Sequence, residues 1–198
     1  SFANPWGDVE AMTVLNGNLI AGGQFRSLNP SASTPCPDCN GIAEWDGSKW
    51  TDLDAGLSNQ VLALTTWNGD LYAGGWFQST TTDAATSCTN CIRIAKWDGS
   101  KWTDLDGGLA GAAWNLTTWN GNLIAGGSFE SLTTNAVTSC TNCNQIAKWD
   151  GSTWTDLDAG FNNTVLTLSV WNGDLYAAGQ FSSLDSNAAI ACDTCKRI

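Results

Sequence analysis

The chain has 198 residues, 42% of them apolar, and its nineteen acidic against eight basic residues give a formal charge of −11. This negative charge repels a phosphate backbone, so we expect no nucleic-acid partner. No apolar run approaches the roughly 20 residues that cross a bilayer, so we expect no membrane insertion. Ser1 does not open a signal peptide, and we expect that any such peptide has been removed.

An eleven-residue segment occurs four times and defines a repeat. Its copies are LNGNLIAGGQF (15–25), WNGDLYAGGWF (67–77), WNGNLIAGGSF (119–129) and WNGDLYAAGQF (171–181), each starting 52 residues after the previous one. Self-similarity at a fixed period of this size is typical of repeat architectures. The chain is therefore predicted to be one array of four similar units.

Each repeat opens with a predicted β-hairpin. In the first repeat, after a terminal segment at residues 1–7, two short strands flank Asn16 and Gly17. Asn-Gly between β-rich runs favours a type I′ turn, because both central residues of that turn need positive φ. The same dipeptide recurs at residues 68–69, 120–121 and 172–173.

A polar loop of about a dozen residues follows each first hairpin and carries a CxxC pair. The pairs are Cys36 with Cys39, Cys88 with Cys91, Cys140 with Cys143 and Cys192 with Cys195. Their even number and loop context predict disulfide bonds and an extracellular or periplasmic setting. Zinc is the alternative, but it would need two pairs around one ion, and equivalent loops of different repeats should lie far apart.

A second predicted hairpin completes the repeat. It covers residues 41–57, 93–109 and 145–161, with turns assigned to Asp-Gly at residues 46–47, 98–99 and 150–151. Strands such as residues 71–77 are apolar on both faces, which indicates burial between layers, and their paired glycines leave room for a neighbouring sheet. Helix patterns are missing. Together these features predict an all-β fold, a four-bladed β-propeller of four-stranded antiparallel blades.

An apolar run ending in Gly-Gly, followed by Trp97, the turn DGSK and Trp102, resembles the kelch-type repeat. It is more similar still to the WDG/AGG repeats of secreted bacterial propellers. The resemblance covers nearly the whole chain and implies a single propeller domain over residues 1–198. Its blades would lie at about residues 9–60, 61–112, 113–164 and 165–198 plus 1–8. The CxxC pair is not part of the usual kelch pattern.

The fourth repeat stops within its sequence, at Ile198, which aligns with Ile146. We therefore expect the fourth blade to be incomplete, to be closed by the N-terminal segment, or to be completed by another copy of the chain. In an up-and-down blade the hairpin turns fall at one end, and the CxxC loops fall at the other. The loops vary most among the repeats, so a recognition surface would lie at their end.

Acidic pairs are the first candidate for chemistry. They are Asp52 with Asp54, Asp104 with Asp106, and Asp156 with Asp158. We place them on the exposed last strand of each unit, where their charge would hinder association between sheet edges. We prefer this interpretation to a calcium site. Their repetition in like environments argues against a glycosidase pair. No metal or cofactor is expected.

Twelve tryptophans are the second candidate, and most recur at fixed positions, as packing between blades requires. Trp6, Trp76 and Trp114 break the pattern and are the candidate contacts for a glycan. With no histidine and no Gly-x-Ser-x-Gly motif, we expect no enzyme activity. Sequons at Asn115 and Asn162 could carry glycans in a eukaryotic secretory pathway.

These observations favour a structural role. The first hypothesis is a non-catalytic unit of an extracellular tandem-propeller array or filament, whose partners are further copies joined head to tail. The alternative is a secreted adhesion or carbohydrate-binding module that acts through the end bearing the long loops.

Overall fold

The computed structural model describes residues 7–27, 36–140, 142–158 and 160–184. All regular elements in these residues are β-strands, so the predicted all-β class is confirmed. No helix in the described ranges has the length and apolar character needed to cross a membrane.

The strands form four separate antiparallel sheets, one for each repeat. Sheet I contains β1 (Asp8–Leu15), β2 (Asn18–Gln24), β3 (Ile42–Trp45) and β4 (Trp50–Thr51). Sheet II contains β5 (Val61–Trp67), β6 (Asp70–Gly75), β7 (Ile94–Trp97) and β8 (Trp102–Thr103). Sheet III contains β9 (Ala113–Trp119), β10 (Asn122–Gly127), β11 (Ile146–Trp149) and β12 (Trp154–Thr155). Sheet IV contains β13 (Val165–Trp171) and β14 (Asp174–Gly179).

Sheets I to III each have four strands in chain order, as predicted for a blade, and sheet IV has two strands in the described residues. Residues 185–198, where further strand would be sought, and residues 1–6 lie outside the described part of the chain. Asp8 pairs with Gln24 in sheet I.

The first hairpin of every repeat has the predicted turn. In the first repeat Asn16 and Gly17 have φ of 51° and 89°, and the other three Asn-Gly pairs are also positive at both residues. The second hairpin differs from its prediction. Trp45 pairs with Trp50, so the loop has four residues, and only its glycine, Gly47, has positive φ. The Asp46 carboxylate supports this loop by accepting the N–H groups of Ser48 and Lys49 at 2.8 and 3.0 Å.

Successive sheets pack face to face through their first two strands. β1 contacts β5, β5 contacts β9, and β9 contacts β13. β6 and β10 are buried on both faces, because sheets II and III each lie between two neighbouring sheets. The apolar core is consequently divided into layers between sheets I and II, II and III, and III and IV.

Glycines at one position of β2, β6 and β10 make this close approach possible. A Cβ added at Gly22 would lie 2.6 Å from Cγ1 of Val61, and one at Gly126 would lie 2.8 Å from Cγ1 of Val165. At Gly74 the nearest atom would be Cβ of Ala113, at 2.8 Å. Since real Cβ contacts are longer, the glycines set the spacing between sheets, as the sequence predicted.

Candidate functional site

Three CxxC pairs lie at disulfide-bonding distance within their own loops. The Cα–Cα distances are 5.5 Å for Cys36 and Cys39, 5.4 Å for Cys88 and Cys91, and 5.5 Å for Cys140 and Cys143. The pair Cys192 and Cys195 lies outside the described residues. Within the described ranges no three His, Cys, Asp or Glu side chains come together, so none of these pairs meets the second pair that zinc would need.

The bridged loop of the second repeat is fixed to its own first residues. Thr80 is buried, and its hydroxyl accepts the N–H of Cys88 at 3.0 Å while its own N–H donates to the Cys88 carbonyl at 3.2 Å. Thr80 also forms an isolated antiparallel bridge with Leu57 at the end of the preceding repeat. The loop therefore contributes to the junction between repeats.

The acidic pairs do not lie on the last strand, so that prediction is wrong. β4 ends at Thr51, and Asp52 and Asp54 belong to the turn that follows it. Asp52 accepts the N–H of Ala55 at 2.8 Å and closes this turn. The turn forms because Asp54 adopts a left-handed conformation, with φ of 52°, and a strand cannot continue through it.

Asp54 reaches across to the long loop of the next repeat. Its carboxylate accepts the N–H groups of Ala85 and Thr86 at 2.7 and 3.1 Å and also the Thr86 hydroxyl. Burial acts to raise the pKa of Asp54, but the hydrogen bonds from Thr86 and Ala85 outweigh it and hold that pKa below its ordinary value.

Asp106 makes the same contacts one repeat later. It accepts the N–H groups of Val137 and Thr138 at 2.7 and 2.9 Å and the Thr138 hydroxyl, while Asp104 accepts the N–H of Gly107 at 2.8 Å. The two carboxylates in each of these two pairs are thus bonded to different backbone segments. In the first two repeats they join a turn to the following loop and do not form a shared oxygen site.

Recurring tryptophans link successive sheets by hydrogen bonds as well as by packing. The indole N–H of Trp102 donates to the Leu53 carbonyl of the preceding repeat at 3.0 Å, and Trp154 donates to Leu105 at 3.0 Å. Both rings are almost fully buried. This arrangement agrees with the predicted role of these residues in packing between repeats.

A second set of indoles points the other way along the array. Trp67 donates to the Gly121 carbonyl at 3.1 Å, and Trp119 donates to the Gly173 carbonyl at 2.7 Å. Each acceptor is the glycine of the next repeat's Asn-Gly turn. Neighbouring sheets are consequently joined by hydrogen bonds from a tryptophan of the first hairpin and from a tryptophan of the second hairpin.

Two of the tryptophans that break the repeat lie against each other. The ring centroids of Trp76 and Trp114 are 6.2 Å apart with an interplanar angle of 86°, and both side chains are half-buried. The Arg93 guanidinium lies 5.0 Å from the Trp76 ring, and Trp114 donates to the Ser128 hydroxyl at 3.1 Å. Trp6 lies outside the described residues.

This aromatic pair lies at the end of sheets II and III that bears the long loops. Trp76 directly follows β6, and Trp114 is near the start of β9. A separate cavity of about 920 Å³ opens at the same end of sheets I and II, with Asn40, Ser58 and Thr81 among its lining residues. The predicted recognition end therefore presents an aromatic contact and a polar groove at different places.

The outer sheets, I and IV, expose side chains that the inner sheets, II and III, bury, and the residue types alone do not predict this difference. Val9 of β1 is 52% exposed, whereas its equivalent Val61 is fully buried. Trp171 of β13 is 64% exposed, whereas its equivalent Trp67 is 8% exposed. The residue types match in both comparisons, so the only signal was the order of the repeats along the chain.

No protein-family model matches the chain, and no curated protein matches it. Function must therefore be argued from the contacts described above.

Proposed function

We propose that the protein is a non-catalytic structural unit of an extracellular tandem array or filament, in which copies join head to tail. The observation that carries this proposal is that the polar contacts between sheets repeat with the same partners. Trp102 and Trp154 hold equivalent carbonyls, and Asp54 and Asp106 hold equivalent loops. An array grows by repeating one interface, and contacts that recur with equivalent partners from sheet to sheet are suited to such repetition.

The contacts also account for the side chains that first suggested chemistry. The carboxylates of Asp54 and Asp106 accept backbone N–H groups of the following loop, and the recurrent indoles donate to carbonyls of neighbouring repeats. Groups used in this way stabilise the junctions between sheets. A structural role thus explains the repeated residues without assigning a reaction to them.

The proposed architecture is a four-bladed β-propeller with one blade for each 52-residue repeat. Its support is the chain-order antiparallel topology of the sheets and their face-to-face packing in sequence. The seam of this propeller would lie between sheet IV and sheet I. In the proposed array this seam stays open within each chain, and the sheet that packs there belongs to a neighbouring copy.

An extracellular location fits the cysteine pairs. Three pairs lie at disulfide-bonding distance, and such bonds persist in oxidising compartments. The formal charge of −11 would keep separate copies soluble during export, and we propose that assembly follows in the ionic medium outside the cell.

Electron cryo-microscopy of native material tests this proposal. We expect strings in which the sheet-repeat density continues from one copy to the next. Isolated particles with the mass of one chain, seen in native material at all dilutions, would contradict the structural array.

The second candidate function is carbohydrate binding at the end bearing the long loops. It is favoured by the contact between Trp76 and Trp114, since these residues have no aromatic equivalents in the other repeats. Aromatic rings with a neighbouring guanidinium are suited to sugar faces and hydroxyls. Binding to a glycan array that is lost in Trp76→Ala and Trp114→Ala would support it. Trp45→Ala, which removes a recurrent and half-buried tryptophan, is the matched control.

A further inference from the structure

We propose that the outer faces of sheets I and IV are the two halves of one further contact between sheets, made between two copies of the chain. This inference rests on the proposed array and assigns its interface. We call Val9, Met12 and Val14 of β1 the head face. We call Trp171, Tyr176 and Ala178 of β13 and β14 the tail face.

The head face is the surface that inner sheets bury against the sheet before them. Val9, Met12 and Val14 are 52%, 65% and 58% exposed. In the next sheet, Val61 occupies the position of Val9 and is fully buried against the preceding sheet at Gly22. Three exposed apolar side chains on one strand face thus reproduce half of an internal contact.

The tail face is the complementary half, and its aromatic rings already have the geometry of the equivalent buried pair. The Trp171 and Tyr176 rings are 6.0 Å apart at 57°, close to the 5.6 Å and 54° of Trp67 and Tyr72. Sheet III covers the inner pair, which leaves Tyr72 only 3% exposed, whereas Tyr176 is 47% exposed. A second copy could therefore dock without rearranging these rings, which lowers the cost of association.

Hydrogen-bonding groups at the two faces also match. The indoles of Trp67 and Trp119 donate to the turn glycine of the following sheet, and Gly17 holds that position in sheet I. The Trp171 indole has no acceptor among the described residues, so in the proposed contact it donates to the Gly17 carbonyl of the next copy.

The second hairpins of the repeats offer another hydrogen bond between copies, with the donor on the head side and the acceptor on the tail side. Trp102 and Trp154 donate to Leu53 and Leu105 of the preceding sheet. By the same relation, Trp50 of one copy would donate to the Leu157 carbonyl of the copy before it. Trp50 is half-buried, and its indole likewise has no acceptor in the described part of the chain.

The seam differs from the internal contacts at one position. Ala178 stands where Gly22, Gly74 and Gly126 stand in the other sheets, and a methyl at those glycines would be within 3.0 Å of the next sheet. The incoming strand must therefore sit slightly farther away. Met12 replaces a leucine of the other repeats on that strand, and its unbranched side chain can fill the wider gap.

Because the head and tail faces are different surfaces, their contact is heterologous. Contacts of this kind produce rings or open filaments and do not stop at a symmetric dimer. Each copy carries a formal charge of −11, so salt should promote the association by screening repulsion between copies.

Mass photometry and sedimentation velocity of the protein test the inference. We expect wild type to form dimers and longer species as concentration and salt increase. Met12→Asp and Trp171→Asp should each weaken association by about thirtyfold or more, since truncation at a central contact has that effect. Val137→Asp is the matched control, because Val137 is apolar, 94% exposed and on neither face. Unchanged circular dichroism verifies folding.

A mixture of the two variants separates a head-to-tail contact from other modes. Met12→Asp keeps its tail face and Trp171→Asp keeps its head face, so the mixture should form one-to-one dimers and nothing longer. Failure of the mixture to associate, or association of either variant as strongly as wild type, would overturn the proposal.

A double variant, Val9→Cys with Ala178→Cys, distinguishes two copies from closure within one. We expect a ladder of intermolecular disulfides that reduction removes. A new disulfide in a chain that keeps the mass of a monomer would overturn the inference while leaving a closed propeller intact. If native material forms strings, but Met12→Asp and Trp171→Asp both associate as strongly as wild type, this interface is wrong and the proposed array still stands.

Discussion

Sheets II and III and sheets I and IV are built from nearly the same sequence, yet they differ in what they bury. Trp67 and Tyr72 are covered by a following sheet, whereas Trp171 and Tyr176 form the same ring pair in the open. The difference shows that burial here is decided by the neighbouring repeat and not by the residue itself. Such quasi-one-dimensional stability is the property that a tandem array requires.

The largest effect should come from removing an indole between two sheets. Trp154 is 2% exposed and donates to Leu105, so Trp154→Ala should lower the free energy of unfolding by about 3–5 kcal/mol. Trp50→Ala, at the equivalent position on the outer sheet, should cost clearly less, because Trp50 is only half-buried. Urea unfolding followed by circular dichroism measures both. Equal losses would show that the outer and inner sheets do not differ as described.

A methyl group at an inner contact provides the next test. Gly126→Ala places Cβ 2.8 Å from Val165, and overpacking of this kind should cost about 1–3 kcal/mol. The reverse change, Ala178→Gly, removes a half-buried methyl from sheet IV, which has no following sheet in the described part of the chain, and should alter the free energy of unfolding much less. The comparison is made in dilute protein, where copies do not associate. A neutral Gly126→Ala would mean that the sheets are not held at the described spacing.

The bridged loops should have a similar but more local effect. Replacing Cys88 and Cys91 by serine opens a short ring and should cost about 2 kcal/mol in the chain-entropy view. Thermal unfolding measures the loss, and a Thr86→Val control leaves the bridge in place while removing the hydroxyl that contacts Asp54. Mass spectrometry of freshly isolated protein should find the cysteines oxidised. Eight free thiols would contradict the disulfides.

Several of these features follow from the sequence, and others could not have been predicted from it. The Asn-Gly turns and the inter-sheet glycines were predictable because backbone conformation or spacing permits few other residues there, as at Asn16 and Gly74. The hydrogen bonds of Asp54 could not be predicted in this way, since their donors lie about thirty residues away in a loop of the next repeat. Contact between Trp76 and Trp114 also depends on how two sheets pack, which no local pattern encodes.

The smallest predicted effect concerns acid stability. The Ser100 hydroxyl and the backbone N–H groups of Lys101 and Ser100 lower the pKa of Asp98 from 3.8 to about 2. Because this pKa is lower in the folded chain than in the unfolded chain, the stabilisation is complete above about pH 3.8 and is lost as the pH falls towards 2.

Asp98→Asn should therefore flatten the fall in urea midpoint between pH 4 and pH 2. The same contacts lower the pKa of Asp46 to about 2, so Asp46→Asn is a matched variant on an outer sheet. Similar changes in both variants are expected, since these turns are exposed and do not depend on neighbouring sheets. Parallel profiles for wild type and both variants would contradict the assigned hydrogen bonds.

Hydroxyl-radical footprinting over a range of protein concentrations tests the central claim most directly. In dilute protein, Met12, Trp171 and Tyr176 should be oxidised much faster than Trp67 and Tyr72, and all three should become protected together as concentration rises. That joint protection is the result expected if the outer faces bind each other. If Met12 and Trp171 are already protected in dilute monomer, or remain reactive at every concentration where copies assemble, the outer sheets do not join copies and the account is wrong.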